Sequence, residues 1–127
     1  MAGDYVDVSE LIRYEVPNIT LKGNKIQPSD IEEIKIGSIE KEINNSNIFT
    51  LVKNVCTYSG GNKLLCTYSK KSEKGKLKVQ SYWNSGKFKI KFNGKCCKDT
   101  LDLIDRIKGI INRKENFGDI EELFTSD

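Results

Sequence analysis

Six lysines in the middle of this chain have a spacing suited to holding a polyanion. Lys76 and Lys78 alternate with Leu77 and Val79, Lys87, Lys89 and Lys91 alternate with Phe88, Ile90 and Phe92, and Lys95 follows Gly94. Successive strand side chains point to opposite faces, so each run reads as a strand with one apolar face and one ammonium face. Asn84-Ser85-Gly86 between the runs predicts a tight turn that sets the two strands side by side and merges their rows. Ammonium groups in such a patch neutralise phosphates and release counterions, which makes binding fall steeply with salt. Tyr58, Tyr68, Tyr82 and Trp83 lie in the same region, where rings can stack on bases or wedge between them. If the alternation runs on through Tyr82 and Trp83, one of the two turns into the core. The plainer role for the lysines is to keep the sheet soluble and its edges protected. The candidate site comprises Lys76, Lys78, Trp83, Lys87, Lys89, Lys91 and Lys95.

The charge is segregated along the chain. The formal net charge is +3, yet residues 1–50 carry five basic and nine acidic side chains, a net of −4. Residues 51–98 carry twelve lysines and one acid, Glu73, a net of +11, and residues 99–127 return to −4. A genome rich in Lys, Asn and Ile codons accounts for many lysines but not for a centre almost free of Asp and Glu. Segregation of this kind marks an electrostatic footprint on one element.

Other chemistries find little support in the residues. The chain has no histidine, which removes the commonest general base and metal ligand. It contains no nucleophile elbow, no phosphate-binding P-loop and no CxxC motif. Its four cysteines, Cys56, Cys66, Cys96 and Cys97, lack the Cys-x2–4-Cys pairs of a structural zinc site. The carboxylates at Glu32-Glu33, Glu40-Glu42 and Glu121-Glu122 read as solvated helix faces. The expectation is a protein without enzymatic activity, metal or cofactor. The acidic start, Met1 to Tyr5, has no apolar core of a signal peptide, and no stretch approaches the ~20 apolar residues of a membrane span. An intracellular protein of cytoplasm or nucleus is expected.

The elements that would position the lysines follow from periodicity and punctuation. A length of 127 residues fits one domain able to bury a core without staples. Residues 1–18 read as a lead-in, with a short helical turn at Val8, Leu11 and Ile12. Residues 19–22 read as a strand closed by Gly23-Asn24. Pro28-Ser29-Asp30 opens a helix, with Ser29 and Glu32 as a capping box and Ile31, Ile34, Ile39 and Ile43 on one face; a competing reading makes residues 34–36 a strand. The period then changes to two. Strands are expected at 48–57, 63–70, 76–83 and 87–92, with turns or loops at 59–62, 70–75 and 84–86. Cys-Thr-Tyr-Ser recurs at 56–59 and 66–69, as in two similar strands of one hairpin. Asp99 caps a helix from Thr100 to about Arg113 that buries Leu101, Ile104, Ile107 and Ile111. Residues 114–127 form an acidic, amphipathic tail.

The fold class expected is therefore α+β: one domain over residues 19–113, an antiparallel sheet of about five strands in the order β-α-β-β-β-β-α, with both helices on one face. Two architectures suit that order, a sheet with an open face and a helix-grip fold with an apolar ligand cavity under the C-terminal helix.

Tyr82-Trp83-Asn84-Ser85-Gly86-Lys87, the strand to Phe92, Gly94-Lys95 and the helix from Thr100 together resemble part of a TATA-box-binding-protein repeat. That segment reads aromatic, two small or polar residues, Gly-Lys, strand, helix. The order of elements over residues 19–113 is also similar to one such repeat. The resemblance implies a curved sheet with helices on its convex side and nucleic acid or a partner on its concave side. It places Trp83 where the family has an intercalating phenylalanine, and Lys87, Lys89 and Lys91 on the face that meets DNA. The family has small apolar residues and Thr where Lys89 and Lys91 stand, and lysines there favour phosphate contacts over insertion between base steps. The family's DNA-binding proteins carry two repeats, so a saddle here would need a dimer or a partner of the same fold. The expected function is a nucleic-acid-binding or transcription-associated module. The alternative is a protein-interaction adaptor whose sheet meets an acidic partner or a second copy, with the acidic tail as a docking helix.

Overall fold

Phe88, Ile90 and Phe92 are fully buried, and their alternation with lysine sets the frame of the fold. The computed structural model describes residues 4–57, 63–70 and 75–125. The elements run β1 (Asp4–Arg13), β2 (Thr20–Leu21), β3 (Asn24–Lys25), α1 (Pro28–Ser46), β4 (Phe49–Thr57), β5 (Lys63–Lys70), β6 (Gly75–Tyr82), β7 (Lys87–Cys96), α2 (Lys98–Asn112) and α3 (Phe117–Thr125). Five strands make one antiparallel sheet in the order β1-β7-β6-β5-β4, and β2 and β3 form a separate two-stranded ribbon.

The fold is thus mixed α+β with a five-stranded antiparallel sheet and three helices. Leu77 and Val79 of β6 and Phe88, Ile90 and Phe92 of β7 join one core with Ile31, Ile39 and Ile43 of α1 and Leu103, Ile104, Ile107 and Ile111 of α2. Phe49 meets Phe92 edge to face at 6.0 Å, an arrangement aromatic pairs favour. The helices lie on this apolar face. Among the described residues, no helix is long and apolar enough to cross a membrane.

Several sequence expectations are corrected. Residues 4–13 are neither lead-in nor helical turn: they form β1, paired with β7 from Asp4↔Cys96 to Arg13↔Lys87. The alternation Val6, Val8, Ile12 faces the helices, and Glu10 breaks it because Lys108 of α2 reaches its carboxylate at 2.7 Å. The fifth strand of the sheet is therefore β1, while Thr20–Leu21 pairs only with Asn24–Lys25. The α1 cap lies two residues before Ser29, at Gln27, whose N–H donates to Asp30 at 2.9 Å with Pro28 at the first helical position. Residues 34–36 are helical. In α2 the buried stripe runs through Leu103 and Ile110, and Leu101 is exposed. Cys56 and Thr57 of the first Cys-Thr-Tyr-Ser run end β4, and the second run lies on its partner β5, with Cys66 opposite Asn54. Tyr58, the turn at 59–62 and residues 71–74 lie outside the described residues. Residues 117–125 of the tail are the helix α3, which packs on α1 and buries Ile120.

Candidate nucleic-acid interface

The face of the sheet opposite the helices gathers the lysines. Antiparallel partners carry side chains on the same face, so the register can be read as rungs crossing the sheet. One rung is Ser69, Lys76, Asn93 and Asp7, and the next is Thr67, Lys78, Lys91 and Ser9. A third contains Gln80, Lys89 and Leu11, and a fourth contains Tyr82, Lys87 and Arg13. Lys95 stands opposite Tyr5 at the far end of β7. Lys76, Lys78, Lys91 and Lys95 are exposed, and Lys87 and Lys89 are half-buried among neighbours. All six predicted lysines share one surface left uncovered by the helices.

Two observations set this surface apart. Lys78 faces Lys91 and Lys87 faces Arg13 across neighbouring strands; like charges placed directly opposite destabilise a sheet. Moreover, none of these cations is paired with a carboxylate among the described residues, whereas Lys35, Lys98, Arg106, Lys108 and Arg113 on the helical side all are. The sheet keeps unneutralised, mutually repelling charge on one face although a stabler pattern is available. A shallow hollow of about 150 Å³ lies within the patch, lined by Asp7, Lys76, Lys78, Lys91, Phe92 and Asn93.

Trp83 and Tyr82 depart from expectation. The strand ends at Tyr82, so alternation stops there: Tyr82 stays on the open face opposite Lys87, Trp83 enters the turn 41% exposed, and neither joins the core. That turn is anchored from behind. Asn84, in the left-handed region at φ 56°, accepts from the Ser29 N–H at 3.0 Å and donates its own N–H to Glu32 at 3.3 Å. Gly86, at φ 78°, accepts from the Tyr14 N–H at 2.9 Å. The first turn of α1 and the end of β1 thereby fix the loop that presents Trp83.

Glu32 itself is 1% exposed and also accepts from the Ser81 hydroxyl. Burial pushes its carboxyl above the usual glutamate range, and the bonds from Ser81 and Asn84 offset this only in part. A raised folded pKa means the native state holds the proton more tightly, so stability falls as pH rises through that window. Glu32→Gln keeps the shape and removes the buried charge. Urea denaturation across pH should show a higher midpoint than wild type at neutral pH and a flatter loss of stability above the carboxylate range.

Among the described residues, a cavity between helix and sheet lies under α1, lined by Ile36, Ile39, Glu40, Cys66, Tyr68, Val79, Ser81 and Phe88. At about 10 Å³ it has room for one water, far from the roughly 300–1,000 Å³ of small-molecule sites. Cys66, Cys96 and Cys97 are not in disulfides.

Fold and surface together describe a mixed α+β protein with a five-stranded antiparallel sheet, helices on one face and a basic open face on the other. Comparison of the chain with family models, with curated proteins and with solved structures returned no match. Sequence reasoning missed Arg13, Ser9, Leu11 and Tyr5, because β1 was not recognised as a strand. The signal available for it was the alternation Val6, Val8 followed by Ile12.

Proposed function

We propose that this protein is a non-enzymatic nucleic-acid-binding or transcription-associated module that engages its ligand through the open face of the sheet. One observation carries the reading: Lys76, Lys78, Lys87, Lys89, Lys91, Lys95 and Arg13 share a face without paired carboxylates and with like charges directly opposed. Phosphates supply the missing counter-charge. Leaving aside the β2–β3 ribbon and α3, the order β1-α1-β4-β5-β6-β7-α2, with helices on one side, supports a TATA-box-binding-protein-like repeat, β1 taking the place expected of residues 19–22. The ligand contacts fall on Lys76, Lys78, Trp83, Lys87, Lys89, Lys91 and Lys95, and Arg13 extends the set.

A mobility-shift titration against single- and double-stranded DNA and RNA at two salt concentrations tests this. The expected slope of log K against log salt is about −0.7 to −0.9 per phosphate contacted, hence about −5 to −6 for these seven cations. Absence of a shift at low salt with every nucleic acid would sink the proposal.

The second reading is an adaptor that binds an acidic partner or dimerises through the sheet edge. It is favoured by an asymmetry between the two edges. β4 carries a register shift between Leu51 and Lys53, a device that blunts an edge, while β1 runs ten residues in unbroken register.

A further inference from the structure

Resting on the nucleic-acid reading of the open face, we propose that its ligand is a single-stranded polynucleotide, with the backbone over β6 and β7 and the bases turned toward β1. The face is divided into columns of different chemistry. β6 and β7 contribute Lys76, Lys78, Lys87, Lys89, Lys91 and Lys95, two adjacent columns about 4.8 Å apart. They form one basic stripe, wide enough for one sugar–phosphate backbone. A duplex presents two backbones across a groove of about 6 or 12 Å; on the β1 side the register places Arg13 as the one cation, and on the other side Lys63 of β5 and Lys53 of β4 hold positions opposite Tyr82 and Thr67.

The β1 column is of another kind. Reading along it, Tyr5, Asp7, Ser9, Leu11 and Arg13 share the open face. Tyr5 is 70% exposed and Leu11 51% exposed. An aromatic ring, an aliphatic group, a carboxylate, a hydroxyl and a guanidinium are what bases require for stacking and edge hydrogen bonds. A duplex keeps those base faces stacked inside, while a single strand can splay them onto side chains. At the Tyr5 end the surface also has a hollow of about 440 Å³, lined by Tyr5, Gly75, Lys76, Asn93 and Gly94. Gly75 and Gly94 face each other in the register at this end of the sheet. It adjoins the smaller hollow through Lys76 and Asn93. A base stacked on Tyr5 occupies the larger hollow while its phosphate meets Lys76 or Lys95.

The track has two aromatic ends. Tyr5 stands opposite Lys95, and Tyr82 stands opposite Lys87 with Trp83 beside it. Eight residue steps along β7 separate Lys87 from Lys95, about 26 Å, a length that holds on the order of four nucleotides.

Fluorescence anisotropy with the full chain decides it. The probes are a fluorescein-labelled single strand of about 12 nucleotides, made as DNA and as RNA, and a hairpin duplex of the same sequence. Single strands are expected to bind at least about tenfold more tightly than the duplex. Tyr5→Ala should weaken single-strand binding by about five- to a hundredfold and leave duplex binding unchanged, and Tyr5→Phe should restore it. Tyr5 is exposed, so circular dichroism should show both variants folded. Equal or tighter binding of the duplex, or an unaffected Tyr5→Ala, overturns the inference while the broader reading stands. Competition by poly-L-glutamate as effective as that by unlabelled single strand overturns it in favour of an acidic protein partner. Failure of every nucleic acid to bind overturns both.

Discussion

Lys35→Met should destabilise the protein by about 3–5 kcal/mol, the loss typical when one member of a buried ion pair is removed. The Lys35 side chain is fully buried on α1, and its three N–H donors are all used. It donates to the Ile110 carbonyl at 3.0 Å, to the Arg113 carbonyl at 2.8 Å and to the Glu115 carboxylate at 3.4 Å. Tyr14 lies under the ammonium, 5.5 Å to the ring centre. The carbonyls belong to the end of α2, where four backbone acceptors have no partner within the helix and the dipole is negative. Lys35 therefore ties α1 to the end of α2 and to the segment leading into α3. Glu115 is equally buried and also accepts from Arg113 at 2.9 Å. Burial alone would raise the Glu115 carboxyl, but Arg113 and Lys35 outweigh it and hold it below the usual range. Burial pushes the Lys35 ammonium below the lysine range, with Glu115 opposing.

Methionine keeps most of the volume and removes every donor. Two carbonyls and a carboxylate then lose a partner in the interior. Because total stability is about 5–15 kcal/mol, this one change removes a large fraction, and the thermal midpoint should fall by on the order of 10–20 °C. Denaturant unfolding of Lys35→Met measures it, and a change under about 1 kcal/mol would contradict it. Adding Glu115→Leu should not recover the loss, since Arg113 still pairs that carboxylate and would itself lose its partner. Sign follows for pH as well: a depressed Glu115 pKa contributes stability above the unfolded glutamate value, and that stability is lost as pH falls through the folded value.

Lys35 also shows where a linear pattern stops being informative. The helix over 28–46 was legible from Pro28 and the isoleucine spacing, yet its buried face is Ile31, Glu32, Lys35, Ile39 and Ile43. Two charged residues occupy core positions because their partners, Ser81 and the end of α2, lie 49 and about 75 residues away. No local rule supplies such partners. The β7 lysine row was legible for the opposite reason: strict alternation over Lys87–Phe92 is local, and it fixes both faces at once. β1 was missed because Glu10 interrupts its inward alternation, and only Lys108 of α2 explains that residue. With β1 unrecognised, Arg13 and Tyr5 could not be placed beside Lys87 and Lys95. The register between strands some eighty residues apart is set by the packed core. The turn at 83–86 was half legible. Asn84-Ser85-Gly86 marked it, but the strand's end at Tyr82 depends on the anchor that Ser29 and Glu32 give to Asn84.

The triple substitution Lys87→Glu, Lys89→Glu, Lys91→Glu separates binding from folding in a way few surface changes do. On a sheet, reversing charge usually risks new repulsion; here it removes existing repulsion. Lys91→Glu places a carboxylate opposite Lys78, and Lys87→Glu places one opposite Arg13, so two like-charge pairs become opposite-charge pairs. Each such cross-strand exchange is worth roughly 0.2–1 kcal/mol. Lys89 lies between Gln80 and Leu11, where a carboxylate meets no directly opposing charge. The denaturation midpoint should therefore equal or exceed that of wild type. Binding should move the other way. Three phosphate contacts are lost and three repulsive groups are installed along the middle of the stripe, so affinity at low salt should fall at least about a hundredfold and the residual salt slope should flatten by about 2–3. Paired measurement of unfolding and of nucleic-acid binding checks both halves. A variant that folds as well as wild type and still binds as tightly would show that the ligand meets some other surface. A variant that fails to fold would show that the lysine row is held in place by something other than the register described.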